Sequence, residues 1–499
     1  MLRLTNSQSR QKEEFKPLDP AGTQVKMYVC GPTVYDSLHL GHARAAVTPD
    51  IVRRHLEYKG YQVRYVMNFT DVDDKIIRRA NEEKRDWKEL TEYYINEFHV
   101  MMKLLNVKPA DVFPRATENI PEMIEIVQRL LERKHAYVAA DGDVYFDTTS
   151  YARYGNLSGR KIDDDESAQS RRPHGANRVS DERLSVKKHP GDFVLWKLAK
   201  PNEPFWESPW GKGRPGWHLE CSAMSKKFLG VPFDIHGGGP DLLFPHHEDE
   251  KAQTECAFCE ELHSGEAVRY WVHHGFLTIN NEKMGKSLGN AKWLREMIWP
   301  EGPHDPMALR MIFLSSHYRA PINFEPGLFD EAKARLDRIY NALESIQRLK
   351  PDSVANPKAV PTPASKLETG IANARMRFDA AMDDDFNTAE ALAGIFELIG
   401  EVNREIGSAT PTESLVQAGL VIQDLLGVLG LRPNRATKGD SSASPGTDLR
   451  LVELLLEVRQ DVRAAKLYAL SDKIRNGLKT LGYEVEDLPG GKWVVKKKE

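Results

Sequence analysis

Two histidines and two lysines are the residues of this sequence best suited to handling phosphate. His39-Leu-Gly-His42 falls between a short buried strand expected over Val25 to Cys30 and a helix expected from about Gly41 to Lys59. There, backbone N–H groups and the helix dipole already favour anions. Gly41 lets a ligand approach the backbone closely. About 240 residues later comes Lys283-Met-Gly-Lys286-Ser287-Leu-Gly-Asn290, on a loop after a strand expected over Gly275 to Ile279. Lysines on such a loop suit phosphates whose charge grows during displacement. Taken singly, histidines beside a turn are commonly structural, and a lysine pair is commonly surface charge.

A second set of residue types suits a metal. Cys30 ends the first strand, Cys221 lies in Arg214-Pro-Gly-Trp-His-Leu-Glu-Cys-Ser-Ala-Met224, and His246 and Glu250 are four apart in Phe244-Pro-His-His-Glu-Asp-Glu250. On a helix beginning near Pro245, positions i and i+4 share a face. Two thiolates, an imidazole and a carboxylate suit zinc. Spacing leaves alternatives open. Cys256 and Cys259 form a C-x-x-C, the more familiar zinc half-site, and a buried free cysteine is a common fate of any of the four. His247 and Glu248 compete with their neighbours.

These residues need a scaffold, and the opening pattern supplies one. Strand, loop, helix closed by Gly60, and a second strand over Gln62 to Asn68 make the β-loop-α-β unit of a parallel, doubly wound sheet. An α/β, Rossmann-type catalytic domain is expected over residues 1–275, with the active site at the carboxyl ends of its strands. A connective insertion is expected at about 115–205, charged and loop-like over 155–190. Residues 276–326 carry the lysine loop. From Leu328 the pattern changes: Ala332, Leu336, Ile339, Leu343 and Ile346 recur at helical steps, and a run over Leu392 to Val402 follows the capping sequence Asn387-Thr-Ala-Glu390. A helical bundle is therefore expected over 327–431. A Ser/Gly/Pro-rich linker follows over 432–448, then a small domain over 449–499.

Composition excludes several classes. The chain has 499 residues and 40% hydrophobic content, enough for two to four domains. No run approaches ~20 apolar residues, which argues against a membrane span. The first ten residues lack an apolar core, so a secretory signal is not expected and the cytoplasm is. Four cysteines are too few for a disulfide scaffold. Net charge is -4, although residues 450–499 hold eleven Lys or Arg against eight Asp or Glu, a local excess that suits a polyanion partner.

Together the His-Leu-Gly-His and Lys-Met-Gly-Lys-Ser segments resemble the paired signatures of class I aminoacyl-tRNA synthetases. Gly285 stands where that family usually has Ser, which removes one hydroxyl and gives the loop more backbone freedom. Further segments are similar to the cysteinyl-tRNA synthetase family in particular: Cys30 to Asp36, Asn68 to Lys75, Arg214 to Cys221, His236 to Leu242 and Phe244 to Glu250. The similarity runs from near residue 2 to the last tryptophan.

The resemblance implies adenylation of L-cysteine with ATP and Mg2+, then transfer of cysteine to the 3′ end of tRNA-Cys by a monomeric enzyme. His39 and His42 would stabilise the phosphates, with Lys286 the main counter-charge to pyrophosphate, Lys283 assisting, and Gly41 and Ser287 beside the nucleotide. One Zn2+ per chain would be held by Cys30, Cys221, His246 and Glu250, leaving Cys256 and Cys259 as bystanders; in the family the substrate thiolate joins that metal. Trp217 would wall the cysteine pocket, Thr70 and Asp241 would hold the amino group, and Gly31 would give a backbone contact. The last domain is similar to the family's anticodon-binding end, where Arg463, Asp472 and Asp487 have groups for base edges and Trp493 could stack on a base. Two rivals share some of these features: a related ligase joining cysteine to an amino sugar, expected to lack the last domain, and a catalytically silent zinc-stabilised RNA-binding protein, which would need no phosphate constellation.

Overall fold

A computed structural model of the chain describes residues 1–160, 186–279, 282–284, 289–349, 366–406, 412–435, 456, 459, 468–480, 483–487 and 493–497. Its first elements are an antiparallel pair, β1 (Arg3–Asn6) and β2 (Gln11–Glu14). Then comes the unit expected from the sequence: β3 (Gln24–Val29), α1 (Leu40–Tyr58) and β4 (Gln62–Met67), with both strands parallel and in register from Gln24 opposite Gln62 to Val29 opposite Met67. Val25, Met27, Tyr28 and Val29 are buried, as are Tyr65, Val66 and Met67. Such near-continuous apolar runs mark strands covered on both faces, and each large side chain so buried is worth about 1.5–3 kcal/mol.

The chain leaves the sheet through α2 (Asp74–Glu83), α3 (Trp87–Leu104) and α4 (Ile120–Glu132). It next builds a separate antiparallel sheet of β5 (Ala136–Val138), β6 (Val144–Phe146), β7 (Phe193–Leu198) and β8 (Gly213–Pro215). This ordered sheet lies largely within the stretch expected as an insertion. Trp196 and Phe146, both fully buried, anchor its core. Most of the charged 155–190 stretch lies outside the described residues.

After α5 (Trp217–Leu229), the parallel sheet resumes with β9 (Phe233–Gly238), α6 (Glu248–Ala257) and β10 (Val268–His273), giving the strand order β10-β9-β3-β4. β3 therefore lies between the strand that follows it and one that arrives some two hundred residues later. At such a switch point the connections diverge and leave a crevice at the carboxyl ends of the strands.

Beyond β10 a smaller sheet joins β11 (Leu277–Ile279) to β12 (Glu282–Lys283) and, past α7 (Pro306–Leu314), to β13 (Ile322–Phe324). β11 starts two residues later than expected because Gly275 and Phe276 cross between the sheets: Gly275 N–H donates to Tyr318 O, and Phe276 O accepts from Ile322 N–H.

The helical region comprises α8 (Leu328–Gln347), α9 (Lys366–Asp383), α10 (Thr388–Glu405) and α11 (Thr412–Val428). All five apolar positions singled out on α8 are buried. Asn387 caps α10, its side chain accepting from Glu390 N–H at 3.3 Å; the helix begins earlier than the expected run because this cap sets its start. The Arg310 guanidinium of α7 makes a fully buried ion pair with Asp50 of α1 and donates to Leu429 O and Leu105 O, tying the α/β domain to the helices.

The chain folds as two units, Met1–Arg435 and Ala436–Glu499. The first includes Arg432 and Arg435, which donate to Lys103 O and to the Glu344 carboxylate. The second contains α12 (Tyr468–Thr480) and a hairpin of β14 (Tyr483–Asp487) and β15 (Trp493–Lys497).

Candidate active site and metal centre

The His-Leu-Gly-His segment folds into its own helix cap. His39 is the N-cap of α1; its Nδ1 accepts from Gly41 N–H at 3.1 Å, while His42 Nδ1 accepts from His39 N–H at 3.1 Å. The rings stack at 3.8 Å. A neutral histidine whose Nδ1 accepts must carry its proton on Nε2, which makes that atom a donor for a phosphate oxygen. A Cβ on Gly41 would lie 2.9 Å from the His39 ring and 3.2 Å from Met284, so a larger residue would disturb this cap.

The lysine segment is fastened beside the same cap. Leu40 N–H donates to Lys292 O at 3.1 Å and Leu294 N–H to Leu38 O at 2.7 Å. Lys283 lies on β12 opposite Thr278, and Met284 is buried against Gly41. Lys286 and Ser287, with Gly285, fall outside the described residues.

At the carboxyl end of β3, four donors converge. Cys30 Sγ is 3.5 Å from Cys221 Sγ and 3.2 Å from Glu250 Oε1; His246 Nε2 is 3.6 Å from Cys221 Sγ and 2.9 Å from Glu250 Oε1. All four donor atoms lie within 4.8 Å of one another. Zinc bonded tetrahedrally at about 2.3 Å to sulfur and about 2.0 Å to nitrogen or oxygen separates its donors by about 3.3–3.8 Å. The set fits such an ion, slightly contracted at the nitrogen–oxygen edge. The helical turn Leu243–His247 runs into α6, so His246 and Glu250 share a face, as their spacing suggests.

A second combination, Cys30 with His236, His247 and Glu250, is also close enough for one ion, but it offers a single thiolate and one of its histidines, His247, is bonded to His273 outside the set. His236 Nε2 is 2.9 Å from Glu250 Oε2, and His247 Nδ1 is 2.7 Å from His273 Nε2. Two thiolates make the first combination the softer and more zinc-like. Cys256 is buried in a different apolar cluster, and Cys259 is exposed, accepting from Arg133 Nη1 at 3.1 Å.

Electrostatics favour the charged forms of three of the four: for His246, burial opposes the charge, but the Glu250 carboxylate and the Cys221 sulfur outweigh it and bring the imidazole up to about 10. Burial works to raise the Cys221 thiol, but hydrogen bonds with Cys30 and His246 bring it down to about 7, while burial pushes Cys30 well up. Burial also opposes the Glu250 charge, yet His236 and His246 hold this carboxyl well below the usual range.

Around the cluster stand the residues expected to bind an amino acid. Trp217 stacks on the His246 ring at 4.0 Å and remains 37% exposed, so one indole face is committed to the cluster. The loops after β3 and β4 are zipped together: Val34 N–H donates to Thr70 O and Thr70 N–H to Pro32 O, each at 3.2 Å. A Cβ on Gly31 would sit 1.7 Å from Asn68 O, so no other residue fits there. The Gly31 N–H is donated to Asn68 Oδ1 at 3.0 Å, and the Thr70 hydroxyl to Glu220 Oε2 at 2.7 Å. Burial raises the Glu220 carboxyl well above its usual range. Asp241 is exposed, its side chain over Gly239.

Sequence reasoning singled out none of Asn68, His218, Glu220, His236 and Asp249, although each lies inside or next to a quoted motif. His218, three residues before Cys221 and so on the same helix face, carried the clearest unused signal. In the second unit Asp472 is exposed, 3.5 Å from Arg475. The backbone sets Asp487 opposite Trp493 across the hairpin, and Arg463 lies outside the described residues.

Comparison with known proteins gives a consistent result. The family described as tRNA synthetases class I (C) catalytic domain matches residues 15–334, and the DALR domain family matches residues 377–432, within the helical region. The fold is similar to that of Mycobacterium tuberculosis methionyl-tRNA synthetase in complex with methionyl-adenylate, with TM-score 0.54 and 14% identity over 82% of this chain and 89% of that one. It is also similar to an Agrobacterium radiobacter LeuRS in a ternary complex, with TM-score 0.58 and 12% identity over 85% and 88%. Among curated proteins, the chain is 46% identical to a cysteine–tRNA ligase of Thermococcus gammatolerans over 98% of both. It is 45% identical to one of Methanococcus maripaludis over 100% of this chain and 99% of the relative, and 46% identical to one of Desulfitobacterium hafniense over 99% and 100%. With identity of this order along its whole length, and the class I catalytic domain matched over most of it, the chain belongs to the cysteine–tRNA ligase family of class I aminoacyl-tRNA synthetases.

Proposed function

We propose that this protein activates L-cysteine with ATP to cysteinyl-adenylate and transfers cysteine to the 3′ end of tRNA-Cys, releasing AMP and pyrophosphate. The observation that carries this reading is the convergence of Cys30, Cys221, His246 and Glu250 beside the His39–His42 cap, in a chain that matches cysteine–tRNA ligases end to end. The amino-sugar ligase has no support among these findings, and a silent RNA-binding protein would have no use for the phosphate-binding cap.

The substrate carboxylate attacks the α-phosphate, so the protein supplies positioning and charge rather than a nucleophile. His39 and His42 donate to the phosphates through Nε2, Gly41 allows the nucleotide close to the backbone, Lys286 and Lys283 balance the departing pyrophosphate, Ser287 completes the loop's contact, and Mg2+ accompanies the ATP. Thr70 and Asp241 orient the amino group, Trp217 walls the pocket and Gly31 contributes a main-chain contact.

Cys30, Cys221, His246 and Glu250 would hold one Zn2+, which would supply a preference for a thiolate over the far less acidic hydroxyl of serine. Shape alone would separate cysteine from serine by only ~1–3 kcal/mol. Arg463, Asp472, Asp487 and Trp493 read the anticodon, and the enzyme works as a cytoplasmic monomer.

Amino-acid-dependent ATP–pyrophosphate exchange across a panel of amino acids tests the activity, with exchange expected for cysteine alone. Stimulation by a different amino acid overturns the substrate, and failure to charge tRNA-Cys overturns the second step.

A further inference from the structure

Arg44 lies on α1, one turn beyond Leu40 and two residues past His42, and is 2% exposed. Its guanidinium donates to three main-chain carbonyls outside its own helix: Nη1 to Phe276 O at 2.7 Å, and Nη2 to Tyr318 O at 2.9 Å and Ala320 O at 2.5 Å. Among the described residues no carboxylate is ion-paired with it, and burial brings its pKa down to about 10. A buried cation held by carbonyls without a counter-charge keeps part of its desolvation cost.

The three carbonyls belong to the root of the segment that carries the lysines. Gly275 and Phe276 are the crossing from β10 to β11; β11 pairs with β12, where Lys283 lies; residues 318–320 lead to β13, the other neighbour of β11. Packing at this root is tight, because a Cβ on Gly275 would lie 2.4 Å from Ala320 O and 2.5 Å from Arg319 O. At the far end of the lysine loop, Lys292 and Leu294 are hydrogen-bonded to Leu40 and Leu38. The lysine segment is thus fastened to the histidine helix on both sides, and on the incoming side Arg44 supplies the side-chain hydrogen bonds seen among the described residues, beside the apolar contact of Met284 with Gly41.

We propose that Arg44 is a positioning residue of adenylation: by spanning Phe276, Tyr318 and Ala320 it sets the separation of the His39–His42 cap from the β11–β12 pair that carries Lys283, and so the alignment of the ATP phosphates beside the cap. The inference rests on the adenylation activity proposed above. A guanidinium suits the task because its planar fork of donors reaches two chain segments at once, which the compact ammonium of lysine does not.

The test compares full-length, zinc-loaded wild type with Arg44→Lys and Arg44→Gln, at a temperature well below the melting point of each. Single-turnover adenylate formation is measured alongside cysteine affinity and zinc content. Misplacement of reacting groups on the ångström scale slows the chemical step by up to about 100-fold, so a fall of about 10- to 100-fold is expected, with KM for ATP raised and with cysteine affinity and zinc content unchanged. Arg44→Lys, which keeps the charge and most of the volume, guards against a variant that fails to fold. Wild-type rates in both variants overturn the inference, as does a parallel loss of rate, cysteine affinity and zinc, which marks general damage. Absence of cysteine-dependent exchange in the wild type overturns the proposed activity instead.

Discussion

His218 Nδ1 lies 2.8 Å from His246 Nδ1, and the other ring nitrogen of His218 lies 3.4 Å from Asp249 Oδ2. The first contact is a hydrogen bond in which one ring donates and the other accepts, and the second is an electrostatic contact that favours a proton on His218 Nε2. With the proton of a neutral His218 on Nε2, beside the Asp249 carboxylate, His218 Nδ1 accepts from His246 Nδ1–H, which turns the lone pair of His246 Nε2 toward Cys221 and Glu250. That is the form a metal needs, and partners of this kind orient metal-binding histidines generally. His218→Ala is therefore expected to raise the zinc Kd by about 10–100-fold, read by chelator competition. An unchanged Kd would show that Trp217 stacking alone holds the ring.

Zinc stoichiometry should separate the four cysteines by position. Cys221 is buried among the donors, whereas Cys256 packs in another cluster and Cys259 is exposed. Cys221→Ala is expected to lose the zinc, and Cys256→Ala and Cys259→Ala to keep one ion per chain. Metal analysis of the purified variants decides it; loss from the Cys256 variant with retention in the Cys221 variant reverses the assignment.

Lys286→Ala should leave cysteine affinity nearly intact while slowing adenylation by about 10²–10³, the scale for removing one preorganised charge-stabilising donor. Single-turnover kinetics locate the effect in the chemical step. A near-normal rate would mean that another residue supplies the counter-charge.

The boundary between the two units fixes where to cut the chain. Ending it at Leu431 would also remove Arg435, whose guanidinium bonds Glu344 and Asn341, so Arg435 is the better end point. The 1–435 protein is expected to retain cysteine-dependent pyrophosphate exchange and to charge tRNA-Cys orders of magnitude less efficiently, since each lost base stack is worth ~1–3 kcal/mol. Undiminished charging would remove the anticodon role from the last domain.

Acid should weaken one specific tie between α1 and α9. Burial works to raise the Asp383 carboxyl, but hydrogen bonds from His55 at 3.0 Å and Lys59 at 3.1 Å outweigh it and hold the group well below the usual range. A depressed carboxylate stabilises the fold above its unfolded pKa of about 3.9, and this contribution is lost as pH falls through the folded value. The unfolding free-energy difference between wild type and Asp383→Asn should thus be constant near pH 5 and shrink as pH falls below about 4, where the unfolded carboxyl takes up its proton before the folded one does. Denaturant titrations at several pH values test this; a difference that grows on acidification contradicts it.

Much of this protein was legible in one dimension because the signals are local. The β3-α1-β4 unit follows from two apolar runs around a helical stretch closed by Gly60, and the phosphate cap follows from His39, Gly41 and His42 at a helix start, where orphan backbone donors are inevitable. The i, i+4 spacing of His246 and Glu250 puts them on one face wherever a helix forms. Sequence could not choose between Cys221 and the Cys256–Cys259 pair on spacing, because Cys30 and Cys221 meet only when β9 pairs with β3 across an insertion that brings its own sheet. Nor could it show Arg44 bridging α1 to Phe276, Tyr318 and Ala320, or His218 orienting His246. Those contacts join side chains to carbonyls and rings far away in the chain, and main-chain carbonyls carry no residue signature; only the packing of the parallel sheet against its neighbours decides which of them a buried donor will meet.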